Sequence, residues 1–137
     1  MNSINVIRKV AIKSIVTDEL KRQLDLQIKN AIKNTKNTLK VLKNEKNTFE
    51  KQFKDTKDVA QQQTMLKIQS EIAKSQQYLN ELGIKEKEYK ALKNGQEFVQ
   101  GFIDSPVDLK LGDSFFEKLS KTEIVLHDGE IVEIRNY

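Results

Sequence analysis

Two apolar rows with an average spacing of 3.5 residues constrain this chain more than any other feature. In the first, Ile28, Ile32, Thr35, Leu39, Leu42, Lys46, Phe49 and Phe53 follow one another at alternating steps of four and three. In the second, Met65, Ile68, Ile72, Ser75, Leu79, Leu82, Glu86 and Tyr89 do the same. This spacing keeps one side of a helix turned toward a partner helix along its whole length, the pattern of a coiled-coil seam. Continued past Phe53, the first row lands on Thr56, Ala60, Gln63 and Lys67, so the two rows are out of phase and the break falls near residues 54 to 58. Asp58 with Gln61 three residues on has the form of a new helix start. The pattern therefore predicts two near-equal helical arms, 18 to 55 and 58 to 93, each about 55 Å long at ~1.5 Å rise per residue. Closed against each other, they make an antiparallel coiled-coil hairpin. The rival arrangement is one continuous helix in a parallel dimer; the lack of Gly or Pro at the break favours it, and the phase break disfavours it.

The segments flanking the arms have a different period. Ile4, Val6, Val10 and Ile12 share one period-2 face that Arg8 interrupts, a strand pattern. Thr17 then offers a capping oxygen, and Asp18 and Glu19 put negative charge on the first helical turn, where exposed N–H groups favour it. Gly83 inside the second arm predicts a kink or a close helix approach. Gly95 is the better terminator, since a left-handed C-terminal cap favours glycine. Beyond it Phe98, Gln100 and Phe102 alternate with Val99 and Ile103, Pro106 breaks the run, and Val107, Leu109 and Leu111 alternate again up to Gly112-Asp113. Ser114 and Glu117 form a capping box around Phe115 and Phe116. The strongest local signal is Asp128-Gly129 between two alternating apolar runs, a type I′ hairpin turn with positive φ at both centres.

Antiparallel arms bring residues 17 and 94 together, so the strand before the first arm pairs with those after the second. The expected fold is α+β: the helical hairpin projects from a small antiparallel β-sheet or barrel. Residues 1–17 give its N-terminal strand, 18–94 the hairpin and 95–137 the C-terminal part of the β-domain, with Phe98, Phe102, Phe115 and Phe116 as its core.

Composition narrows the chemistry. The 137 residues contain no cysteine, which removes disulfides, thiolate metal sites and a cysteine nucleophile. Neither a signal-peptide core nor about 18 consecutive apolar residues occurs, so a cytoplasmic protein is expected. The net charge of +4, from 24 basic and 20 acidic residues, is too small to predict nucleic-acid binding on its own.

The C-terminal third carries a recognisable pattern: Gly95-Gln-Glu97-Phe98, Val99-Gln-Gly101-Phe-Ile-Asp104, Leu111-Gly112-Asp113 with Phe115, then Ile124-Val125, Asp128-Gly129 and Val132-Glu133-Ile134-Arg135. It resembles the uncharacterised bacterial YlqD-like family. The likeness extends over the N-terminal strand and the Lys- and Gln-rich middle, covering essentially the whole chain. It implies no activity, cofactor or catalytic residue, and its bearing on partners is a hint of ribosome-related work.

The candidate site residues are few. Lys29, Lys33, Lys36, Lys40 and Lys43 follow the first seam one residue behind it. Heptad register sets Lys29, Lys36 and Lys43 against Gln62, Gln69 and Gln76 rather than carboxylates. This basic stripe suits phosphate contact, although no aromatic is interleaved to stack a base. Asp55 and Asp58 at the tip present carboxylates beside Lys54 and Lys57. His127, the only histidine, has no second His or Cys to build a metal site with. No phosphate loop, nucleophile elbow or triad is present, and Asp104, Asp108, Asp113 and Asp128 stand where turns want them. The expectation is an interaction or assembly protein, not an enzyme, with no cofactor, metal, small-molecule substrate or membrane partner. It would act through a protein partner or self-association; the alternative is an RNA- or ribosome-associated factor using the Lys stripe.

Overall fold

The structure, a computed structural model, describes residues 1–54 and 58–137. It is α+β, with elements in the order β1 (Ser3–Ile15), α1 (Asp18–Gln52), α2 (Val59–Lys90), β2 (Glu97–Lys110), α3 (Phe115–Lys118), β3 (Thr122–His127) and β4 (Glu130–Asn136). The chain divides into two compact units: Met1–Lys21 with Leu92–Tyr137, and Arg22–Ala91.

The first unit is an open four-stranded sheet in the order β2-β1-β3-β4. β1 and β2 pair antiparallel from Ser3↔Lys110 to Ile15↔Glu97, with a bulge at Ile12/Lys13. The ladder is carried past the strand ends by Val16, whose N–H donates to Gln96 O (2.7 Å) and whose carbonyl accepts from Gly95 N (2.9 Å). α1 starts at Thr17, whose hydroxyl oxygen accepts the Leu20 N–H at 3.1 Å, the bond its capping role requires.

Several expectations need correction here. The sheet is mixed and open rather than antiparallel or a barrel, because β3 pairs with β1 in parallel over Ala11–Ser14. β2 ends beside Ser3, at the start of β1, so a chain that leaves it and comes to β1's other edge must run in β1's own direction. Pro106 does not break β2. It sits on an edge strand, where a missing N–H costs no ladder bond on the solvent side. Ser114 starts the single turn of α3 without a side-chain cap bond, so no capping box forms. The Asp128-Gly129 turn has the expected backbone, with φ of 47° and 85°.

The aromatic core is also overturned. Phe102 is 63% and Phe116 83% exposed, Phe115 is exposed, and only Phe98 is half-covered. Val10, Ala11, Val16, Leu20 and Val125 fill the interior instead. One helical turn and an open sheet supply no second layer large enough to cover phenylalanine rings.

The second unit is helical. All eight positions of the first row, seven in α1 and Phe53 just past its end, are buried or half-buried, as are all eight of the second row in α2. Ile28, Leu39, Leu42 and Leu82 are the best covered apolar members. Asp58 caps α2 through its carboxylate, which accepts the Ala60 N–H at 2.8 Å. Gly83 marks no close approach: α2 runs through it as one helix, and a Cβ there meets nothing within 4 Å.

Candidate functional site

The two faces of the sheet carry opposite chemistry, and cross-strand register sets which residues share a face. One transverse row is Gly101, Ile12, Ile124 and Ile134. Beside it Leu126 pairs with Ile131, because a bulge after Val125 slips the β4 register by one and puts Ile131 and Ile134 on the same side. The adjacent row on the other face is Phe102, Ala11, Glu123 and Arg135.

That second face holds an ion-pair cluster around Glu123, which is fully buried (0% exposed). Its Oε1 lies 3.0 Å from Lys13 Nζ and 3.2 Å from Lys121 Nζ, and its Oε2 lies 3.7 Å from Arg135. Tyr137 donates its hydroxyl to Oε2 at 3.3 Å. Arg135 also reaches Glu97, with bonds of 2.8 and 2.5 Å to its two carboxylate oxygens, and Glu133 at 3.0 Å. Glu97 belongs to β2 and Arg135 to β4, the two edge strands of the sheet. Strands lie about 4.8 Å apart, so side chains meeting across two intervening strands require the sheet to coil toward this face. A side-chain clasp thus does part of what a backbone ladder does in a closed barrel.

The electrostatics follow from the contacts. The Arg135 guanidinium holds the Glu97 carboxyl below its ordinary value. Lys13 does the same for Glu123, ahead of the opposing desolvation, with Lys121 adding to it. Arg135 is pushed up, first by Glu97 and then by Glu133. Carboxylates kept ionised in this way are poor proton donors at neutral pH. Three bases face three acids, so the cluster is neutralised from within. Sequence reading missed it because Lys13, Glu97, Glu123 and Arg135 lie on four strands and share no local motif.

Lys29, Lys33, Lys36, Lys40 and Lys43 are all exposed on α1. Lys29 is paired with Asp25 at 2.9 Å, and that contact raises its pKa. Lys29, Ile32, Lys33, Lys36 and Asn37 line a cleft of about 440 Å³ together with Glu86 of α2. Toward the other end of these helices, a groove of about 800 Å³ is lined by residues including Phe49, Phe53, Met65 and Leu66. Asp58 is engaged as the α2 cap, and Asp55 lies outside the described residues. His127 is exposed and lies 3.7 Å from Asp128, whose carboxylate accepts the Thr17 hydroxyl at 2.6 Å. Among the described residues, no group of three or more His, Cys, Asp or Glu could hold a metal ion, and no helix is long and apolar enough to cross a membrane.

The model of the YlqD protein family matches residues 4–135. The chain belongs to this family. No curated protein matches it. Its fold is similar to the crystal structure of a protein of unknown function from Synechococcus sp. WH 8102, at a TM-score of 0.77 and 25% sequence identity, covering 98% of this chain and 95% of that one. The residues that carry the YlqD pattern do architectural work: Glu97 and Arg135 form the clasp, Asp128 and Gly129 make the hairpin turn, and Asp113 accepts the Lys110 N–H at 2.8 Å beside Gly112 (φ 93°).

Proposed function

We propose that this YlqD chain is a non-catalytic interaction and assembly protein that self-associates through the isoleucine face of its sheet, with α1 and α2 closed as an antiparallel coiled-coil hairpin. The observation that carries the reading is apolar surface left open. Ile134 is 67% exposed and Ile131 more than half exposed, on the face where Ile12 and Ile124 are only half-covered. Contiguous apolar area on a small unit favours association, because burial removes it from water at about 25 cal/mol per Å². The hairpin is supported by the covering of both seams. It is supported too by the shared grooves, which join residues 49 and 53 to residues 61 and 65 but residues 29 to 37 to Glu86. Numbers that rise in one helix fall in the other.

Light scattering over a concentration series tests the association. The wild type is expected to be dimeric or larger, and Ile134→Lys, which puts a charge on an already exposed position, to shift it toward monomer. A wild type that is monomeric at every concentration and retains no protein partner from native lysate sinks the reading.

A further inference from the structure

The helical unit carries one flank unlike the rest of its surface. Between Leu26 and Asn44, α1 holds five lysines and no acidic residue. Lys29 is spent on Asp25. Lys33, Lys36, Lys40 and Lys43 have no carboxylate within 4 Å among the described residues, and all four are exposed on one side of the helix. The matching flank of α2 is uncharged: Gln62, Leu66, Gln69, Ala73, Gln76 and Asn80 recur at steps of four and three and are all exposed. On its opposite flank α2 shows the mixed sign of an ordinary solvated face, with Lys67, Glu71, Lys74, Glu81, Lys85 and Glu88.

We infer that the lysine and glutamine flank docks the sugar–phosphate backbone of a nucleic-acid duplex without reading its sequence. Four lysines spread over about 15 Å of helix, at ~1.5 Å per residue, meet a duplex that carries one charge per about 1.7 Å. The amides beside them donate and accept hydrogen bonds, which suits phosphate and sugar oxygens. No aromatic residue stands in the lysine row to stack an unpaired base, so single strands gain little here. An anionic lipid surface would reward an apolar face beside the charge, whereas this flank offers amides and only Leu66 and Ala73. The lysine row lies on α1 alone and so stands apart from self-association; its adjacency to the glutamines rests on the hairpin proposed above.

The test is fluorescence anisotropy of the full chain with a labelled RNA duplex at about 50 and about 200 mM salt. Lys36→Gln, Lys40→Gln and Lys43→Gln combined removes three contacts; Lys67→Gln, Lys74→Gln and Lys85→Gln combined removes the same charge elsewhere. Circular dichroism checks that both retain their helix. The wild type and the second triple variant should lose affinity with salt alike. The first triple variant should bind more weakly, its loss between the two salts smaller by up to about 40-fold, from a slope of roughly 0.9 per phosphate. No duplex binding by the wild type at low salt overturns the proposal, as does equal weakening by both triple variants. Tighter binding to phosphatidylserine vesicles than to the duplex at matched salt also overturns it. Light scattering on the same samples separates this outcome from any failure of self-association.

Discussion

Gly83 stands inside α2 toward its C-terminal end, in open space and with an ordinary helical backbone. Glycine loses more backbone freedom on folding than alanine does, and here nothing repays that loss. Gly83→Ala should therefore raise stability by about 1 kcal/mol, seen as a higher Tm. A lower Tm would mean that the position is crowded. Glu123 makes the opposite case, a residue whose partners decide its state. Its carboxyl and that of Glu97 are held below the ordinary value of 4.5. The stability each contributes is present above that value and is lost as pH falls through the lowered folded pKa. Between about pH 6 and about pH 3 the Tm should drop, and Glu123→Gln should flatten part of this limb. At neutral pH the variant should melt several degrees lower, since Lys13, Lys121 and Arg135 keep their charges without the buried counter-charge. An unchanged acid limb would show that Glu123 titrates as an exposed carboxylate.

The elements show how far a period reaches. Both covered rows were legible because the helix turns its covered side by a fixed angle per residue, and all sixteen positions are buried or half-buried. Energy should follow the same division. Leu82→Ala, at a buried seam position, should cost about 2–5 kcal/mol, whereas Leu66→Ala, exposed on the same helix, should stay within about 0.5 kcal/mol. Equal effects in thermal unfolding would remove the seam as the source of helix stability. The strands were legible as runs and less so as partners. Pro106 reads as a break until its strand is known to lie on an edge, and the parallel pairing of β1 with β3 has no signature in either run. Alternation fixes which residues share a face of one strand and says nothing about which strand lies next to it.

At the scale of the molecule, the two units are governed by different rules. A helix is built from near neighbours in sequence, so the covered rows of the two helices, the caps at Thr17 and Asp58 and the positions of the lysine row could all be read from spacing alone. The Asp128-Gly129 turn belongs with them, since two positive φ values are a local demand. The sheet is built from segments as far apart as Lys13, Glu97, Glu123 and Arg135, and tertiary structure alone decided that they meet. It also decided that Phe102, Phe115 and Phe116 stay outside, because an open sheet with one helical turn has no second layer to receive them. Periodicity and turn chemistry act over a few residues and are written in the chain. Strand order, the Glu97–Arg135 clasp and the exposed isoleucine face depend on which distant segments exclude water together, and that becomes visible only once they are folded.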